Sequence, residues 1–186
     1  MRKCVFLDRD GVLNYTKVEN GKPFAPTSFA DFKLYENING PLESLKKMNF
    51  LLFVVTNQPD VGNQKVARGE VEAMHDYLLA RTPVDAVFAC FHSQDEDCSC
   101  RKPEPGMLYA AAFQYFVMPS LSYIVGDRYS DIVAGNKFGC QSILIDRSYK
   151  ECRLATPWRK VGSLLEAVKE ITVNEQKDKG LAIPCN

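Results

Sequence analysis

The sequence predicts an α/β fold: one doubly wound parallel sheet covered by helices on both faces. Three observations carry this. Short apolar runs alternate with segments of helical period, polar clusters follow the runs directly, and 186 residues suit a single domain. Apolar residues make up 46% and charged residues 25% of the chain, a globular balance that disfavours disorder.

Taken in order, residues 4–7 form the first apolar run and read as a strand. Residues 14–39, rich in Asn, Pro, Ser and Thr, have no sustained apolar period and read as a flap-like loop with one hairpin. A helix over 41–48 leads to a strand at 50–55, and a helix over 69–81 leads to a strand at 86–91. A helix over 105–116 precedes a strand at 123–125, and a helix over 130–138, stopped by Gly139, precedes a strand at 142–145. The last helix covers 162–171, and the polar residues 174–186 read as a frayed tail. Residues 1–173 are thus expected to be one Rossmann-like domain, with loops too short for a second domain of at least about 50 residues.

The wholly apolar run of residues 50–55 falls far short of the roughly 20 residues that span a bilayer. The N-terminus starts like a signal peptide but meets Asp8, Arg9 and Asp10 too early, so the cytoplasm is the expected location. Lys and Arg total 23 against 23 Asp and Glu, which gives no overall counter-charge for a nucleic acid yet leaves room for one small anion.

Asp8-Arg9-Asp10-Gly11 follows the first strand. In an extended segment the i and i+2 side chains point to one side, so Asp8 and Asp10 face one small volume. Such a pair could hold Mg²⁺, or divide the work of nucleophile and general acid, because a carboxylate can form an acyl phosphate once a cation neutralises the incoming phosphate. A solvated turn carries the same residues. Thr56-Asn57-Gln58, after the second strand, offers a hydroxyl and two amides to phosphate oxygens. Arg101-Lys102-Pro103 sets two cations ahead of a helix N-terminus, whose partial charge adds to theirs. Gly126-Asp127-Arg128-Tyr129-Ser130-Asp131 again puts carboxylates after a buried strand, with Asp131 equally suited to cap the following helix.

Cys90 with His92 and Cys98 with Cys100 are two ligand pairs at i, i+2 spacing. A Cys₃His set matches a closed structural zinc site, which leaves no open position for a catalytic hydroxide and so implies a role in shaping the loop. The cysteine total of seven is odd, and three cluster here, which fits reduced thiols and a metal better than a disulfide framework. His75 is expected on the surface of its helix. With His92 claimed by zinc, Ser-His-Asp chemistry then has no base, and no Gly-x-x-x-x-Gly-Lys loop follows the first strand.

In their order after successive strands, the four clusters resemble the motifs of the haloacid dehalogenase (HAD) superfamily of phosphohydrolases over nearly the whole chain. The resemblance implies a HAD-like fold without a cap domain, Asp8 as nucleophile, Asp10 as general acid and base, Thr56 as phosphate ligand and Lys102 as phosphate clamp. It also implies Mg²⁺ on Asp8, Asp127 and the Asp10 carbonyl, with Asp131 as a secondary candidate acting through water.

The segment C-F-H-S-Q-D-E-D-C-S-C-R-K-P-E-P-G-M, residues 90–107, resembles the D-glycero-D-manno-heptose 1,7-bisphosphate phosphatases and their relatives, the histidinol-phosphate phosphatases. The run from Lys102 to Met107 is similar to the heptose enzymes, the short gap from His92 to Cys98 to the histidinol enzymes. Pro59-Asp60 departs from the Ser-Gly often found in the former. The resemblance implies Arg9, Asn57, Arg101 and Arg128 as further substrate contacts. The expected activity is removal of the C7 phosphate from a heptose bisphosphate, with histidinol phosphate as the alternative substrate and a non-catalytic zinc-stabilised binding domain as the alternative of another class. A nucleic-acid 3′-phosphatase is disfavoured by the zero net charge.

Overall fold

Every residue of Cys4–Leu7 is buried, and this segment forms β1 at the centre of the sheet. It is followed by the hairpin β2 (Lys17–Glu19) and β3 (Lys22–Phe24), then α1 (Asn39–Lys47), β4 (Leu51–Asn57), a short α2 (Pro59–Gly62), α3 (Arg68–Arg81) and β5 (Ala86–Cys90). The second half contains α4 (Gly106–Tyr115), β6 (Tyr123–Gly126), α5 (Tyr129–Phe138), β7 (Gln141–Ile145), β8 (Arg159–Val161) and α6 (Leu164–Asp178). The structure is a computed structural model and describes residues 1–178.

Six strands form one parallel sheet in the order β5-β4-β1-β6-β7-β8. The period-2 alternation of the strands divides the core. Val5, Leu7, Leu52, Val54 and Val125 face α1, α3 and α6, whereas Cys4, Phe6, Phe53, Val55 and Ile124 face α4 and α5. From β1 the chain moves outward through β4 and β5, then returns to place β6 on the other side of β1. The carboxyl end of β1 is therefore a topological switch point, where α/β sheets open a crevice for ligands.

The elements lie within a few residues of those expected, with three differences. The helix expected over 162–171 continues to Asp178. Residues 174–178 are therefore helical and not part of a frayed tail: Glu175 pairs with Lys3 and accepts the Tyr123 hydroxyl, tying the last turns to the sheet. The remainder of the expected tail, 179–186, lies outside the described residues. The short edge strand β8 and the one-turn α2 are additional, neither long enough to show a period. The hairpin expected within 14–39 turns at Asn20-Gly21, with φ of 53° and 80°, the pair of left-handed residues that a two-residue type I′ turn requires. No helix among the described residues is long and apolar enough to cross a membrane.

Candidate active site

The loops after β1, β4 and β6, together with the segment before α4, converge on one buried cation. Lys102 is 3% exposed, and its ammonium donates to the Val55 carbonyl at 2.7 Å and meets Asp8 Oδ1 at 2.9 Å and Asp131 Oδ1 at 2.5 Å. All three of its protons are thereby placed. Asn57 holds the Lys102 backbone from both sides: its amide donates to the Lys102 carbonyl at 2.9 Å and its oxygen accepts the Lys102 N–H at 3.0 Å. Asn57 thus fixes the clamp lysine as well as lining the cleft.

Asp8, Asp127 and Asp131 are all buried, and their carboxylates lie within 4.8 Å of one another. Burial, then the charge of Asp131, pushes Asp8 up to about 7 in spite of Lys102. Burial, with Asp8 and Asp131 behind it, lifts Asp127 well above the usual carboxylate range. Burial works against the Lys102 ammonium, but Asp131 and Asp8 outweigh it and hold the lysine above its ordinary value. Asp127 Oδ2 accepts the Tyr149 hydroxyl at 2.9 Å, while its Oδ1 is buried without a hydrogen-bond partner. A Cβ on Gly11, whose φ is +85°, would stand 1.8 Å from Asp127 Oδ2, so only glycine lets the two loops approach this closely. Three hard oxygen donors with one orphaned atom and excess negative charge fit a divalent cation. Asp131 is the least available of the three: it pairs with Lys102 and its Oδ2 accepts the Arg128 N–H at 3.1 Å, capping α5.

Asp10 stands apart from this cluster. Its two oxygens accept the Arg9 Nε and Nη2 at 3.0–3.3 Å, the Asn14 amide at 2.9 Å and the Gln58 amide at 2.8 Å. The same Gln58 amide reaches the Thr56 hydroxyl at 2.8 Å. Above these groups opens a cleft of about 470 Å³ lined by Asp8, Asp10, Asn57, Lys102 and Asp127, with Arg101, Arg128 and Lys65 as further cations and the β3 end at its side.

Compared with known proteins, residues 99–160 match the model of the HAD-hydrolase-like family. The chain is 34% identical over 146 residues to the D-glycero-beta-D-manno-heptose-1,7-bisphosphate 7-phosphatase of Haemophilus influenzae, covering 73% of this chain and 76% of that one. The chain belongs to the HAD-like phosphatases. The Escherichia coli K12 protein of the same name is 29% identical over 185 residues, 90% of this chain and 94% of that one. Among solved structures, the D,D-heptose 1,7-bisphosphate phosphatase of B. bronchiseptica, complexed with magnesium and phosphate, superposes with a TM-score of 0.79. It is 26% identical and covers 94% of this chain and 99% of that one.

Beside the cleft, the loop after β5 brings together a second donor set of this HAD-like phosphatase. The three sulfurs of Cys90, Cys98 and Cys100 are 3.3–3.7 Å apart, and His92 Nδ1 lies 3.2 Å from Cys100 and 3.5 Å from Cys90. Sulfurs at the corners of a tetrahedron with 2.3 Å metal bonds would be about 3.8 Å apart, so the set could hold one metal ion. Without one, burial pushes the Cys90 thiol up to about 12.

Two expectations fail. Arg9, expected to touch substrate, is completely buried. Its guanidinium is spent on Asp10, on His75 Nε2 at 3.1 Å and on the Phe32 ring, beneath the cleft and not in it. His75, expected on the surface, is 7% exposed. With Val71, Met74 and Leu78 it completes an i, i+3, i+4, i+7 stripe, the buried face of α3, a helical period present in the sequence. Tyr149 escapes sequence reasoning because it sits in the loop between β7 and β8, where no period applies.

Proposed function

We propose that this HAD-like phosphatase is a Mg²⁺-dependent phosphomonoester hydrolase that removes the C7 phosphate of a D-glycero-D-manno-heptose 1,7-bisphosphate through an aspartyl phosphate on Asp8. The observation that carries the reading is Lys102, buried between Asp8 and Asp131 at the floor of a cleft whose wall adds Arg101 and Arg128. The heptose bisphosphate phosphatases it resembles along most of its length support the substrate.

Lys102 and the Arg9 N–H, at 2.8 Å, both fall on Asp8 Oδ1, which leaves Oδ2 to attack phosphorus. The bond from phosphorus to the sugar oxygen breaks as that oxygen takes a proton from Asp10. Asp10 then removes a proton from water, which attacks the phosphoryl group and frees Asp8 and inorganic phosphate. Thr56 and Lys102 hold phosphate oxygens. Asp8, Asp127 and the Asp10 carbonyl would hold Mg²⁺, which would supply the charge that lets an anionic nucleophile approach an anionic phosphate. Asp131 supports this charge balance through Lys102. The Cys90, His92, Cys98 and Cys100 set is assigned to a structural zinc ion that shapes the loop leading into Arg101 and Lys102. The second phosphate is assigned to Arg101 and Arg128. Arg101 keeps a buried Nη1 without a hydrogen-bond partner, and a planar guanidinium suits bidentate phosphate contacts.

The test compares kcat/KM for the heptose bisphosphate, a monophosphate lacking the C1 group, and histidinol phosphate. The bisphosphate should give the highest value, and Arg101→Ala or Arg128→Ala should erase most of its advantage over the monophosphate while Lys47→Ala leaves it intact. A higher value with histidinol phosphate would replace the substrate named here.

A further inference from the structure

The reading above gives the buried Arg9 guanidinium and the His75 ring no part in the reaction. Burying a guanidinium is costly unless its charge and donors are matched. Here the match is one carboxylate, Asp10, whose two oxygens both face the guanidinium, and one imidazole, since Arg9 Nη1 lies 3.1 Å from His75 Nε2. Arginine has no acceptor to offer, so Nη1 donates and Nε2 must be the unprotonated nitrogen. Burial and the Arg9 charge favour this neutral form of the ring. His75 itself is fixed on α3, between Met74 and Leu78 of the core.

We infer that His75 is a positioning residue for the reaction: through Arg9 it sets the orientation in which the Asp10 carboxylate meets water at the phosphoryl group. This rests on the assignment of Asp10 as acid and base made above. The chain of contacts runs from the helix to Arg9 to Asp10, and every group reaching Asp10 in it is an N–H donor, which fixes the direction in which the carboxylate oxygens face the attacking water. Loosening the chain should therefore slow breakdown of the aspartyl phosphate more than its formation, above all when the leaving group needs no proton.

The experiment uses the full-length enzyme with Mg²⁺ and 4-nitrophenyl phosphate, whose phenolate leaves without acid assistance. His75→Asn carries an amide too short to stand in for Nε2, and His75→Gln one long enough for its oxygen to accept from Arg9. For His75→Asn, kcat and KM should fall together by about tenfold with kcat/KM unchanged, and the fraction of enzyme trapped as phosphoenzyme in acid-quenched samples should rise. His75→Gln should return both constants to within about twofold of wild type. A merely structural lesion would lower kcat/KM with kcat and trap nothing. That outcome, or wild-type constants in His75→Asn, or equal defects in both variants, overturns the inference. Asp10→Asn is run alongside: if it turns over at the wild-type rate, the acid and base assignment itself has failed, whereas a defective Asp10→Asn beside an unaffected His75→Asn refutes only the role of His75.

Discussion

At the scale of single residues, the site is built from groups that water would keep apart. Asp8 illustrates the cost. Its folded value stands near 7, above the ordinary 3.8, so the folded state is penalised increasingly as pH rises through that window. Asp8→Asn should abolish turnover, with a loss of at least about 10⁴-fold, yet raise the stability of the metal-free protein at neutral pH because one of three crowded carboxylates loses its charge. Thermal unfolding in chelator, beside borohydride reduction of acid-quenched wild-type enzyme, which turns an aspartyl phosphate into homoserine, checks both halves: a lower melting temperature in the variant, or no homoserine at position 8, contradicts this account. Lys102→Met works in the other direction. Removing the one ammonium leaves Asp8 and Asp131 buried and unpaired, so folding should weaken by about 3 kcal/mol in urea titrations of the chelated protein while activity disappears.

At the scale of elements, the loop between β5 and α4 decides how the clamp lysine is presented. Cys100 and Lys102 are separated only by Arg101, and the Asn57 amide grips the Lys102 backbone from β4. An ion on the Cys and His donors would therefore hold this segment from a second side, opposite the β4 strand end. Cys98→Ser should copurify with much less zinc than the wild type. Its KM should rise by about tenfold while kcat stays within about twofold, because β1 places Asp8 and Asp10 while Asn57 still holds Lys102, so that the ion chiefly orders the cations that bind substrate. Undiminished zinc in metal analysis, or a kcat that falls as far as KM rises, would speak against a loop-shaping ion. The hairpin β2–β3 supplies Pro23 and Phe24 to the side of the cleft, so a short turn does what a separate cap would do in a larger enzyme: it narrows access without closing it.

At the scale of the whole molecule, one buried ring adds its own pH dependence to stability. Burial first and the Arg9 charge second lower His75 from 6.5 to about 4. Between those values the unfolded chain binds a proton that the folded chain refuses. The contribution of His75 is thus fully present above about pH 6.5 and is lost as pH falls through the window toward 4, by about 2 kcal/mol at pH 5. The raised carboxylates Asp8 and Asp127 run the opposite way in this window, so the part due to His75 is read between proteins: from pH 7 to pH 5 in urea unfolding, the wild type should lose about 2 kcal/mol relative to His75→Gln, and identical pH dependence in the two would rule it out.

The order of elements, the sheet type and the composition of the clusters after β1, β4 and β6 were legible in the sequence because each rests on a local signal: a short apolar run, a helical period, or polar residues directly behind a strand. Asp8, Thr56, Lys102 and Asp127 stand in those clusters, and the part expected of each came from the resemblance of the four clusters taken together. What Arg9, His75 and Tyr149 do was not legible. A buried cation reads locally like an exposed one, and a histidine on an apolar stripe has no partner until α3 is laid across the end of β1. The charge balance of the site was likewise decided only in three dimensions, by the return of the chain across β1 that brings Asp127 and Asp131 to within reach of Asp8. By itself the sequence determined which chemical groups stand at the strand ends. The tertiary structure alone decided which of them face the cleft and which are spent holding the others, because burial and pairing are properties of the space between elements and leave no period along the chain.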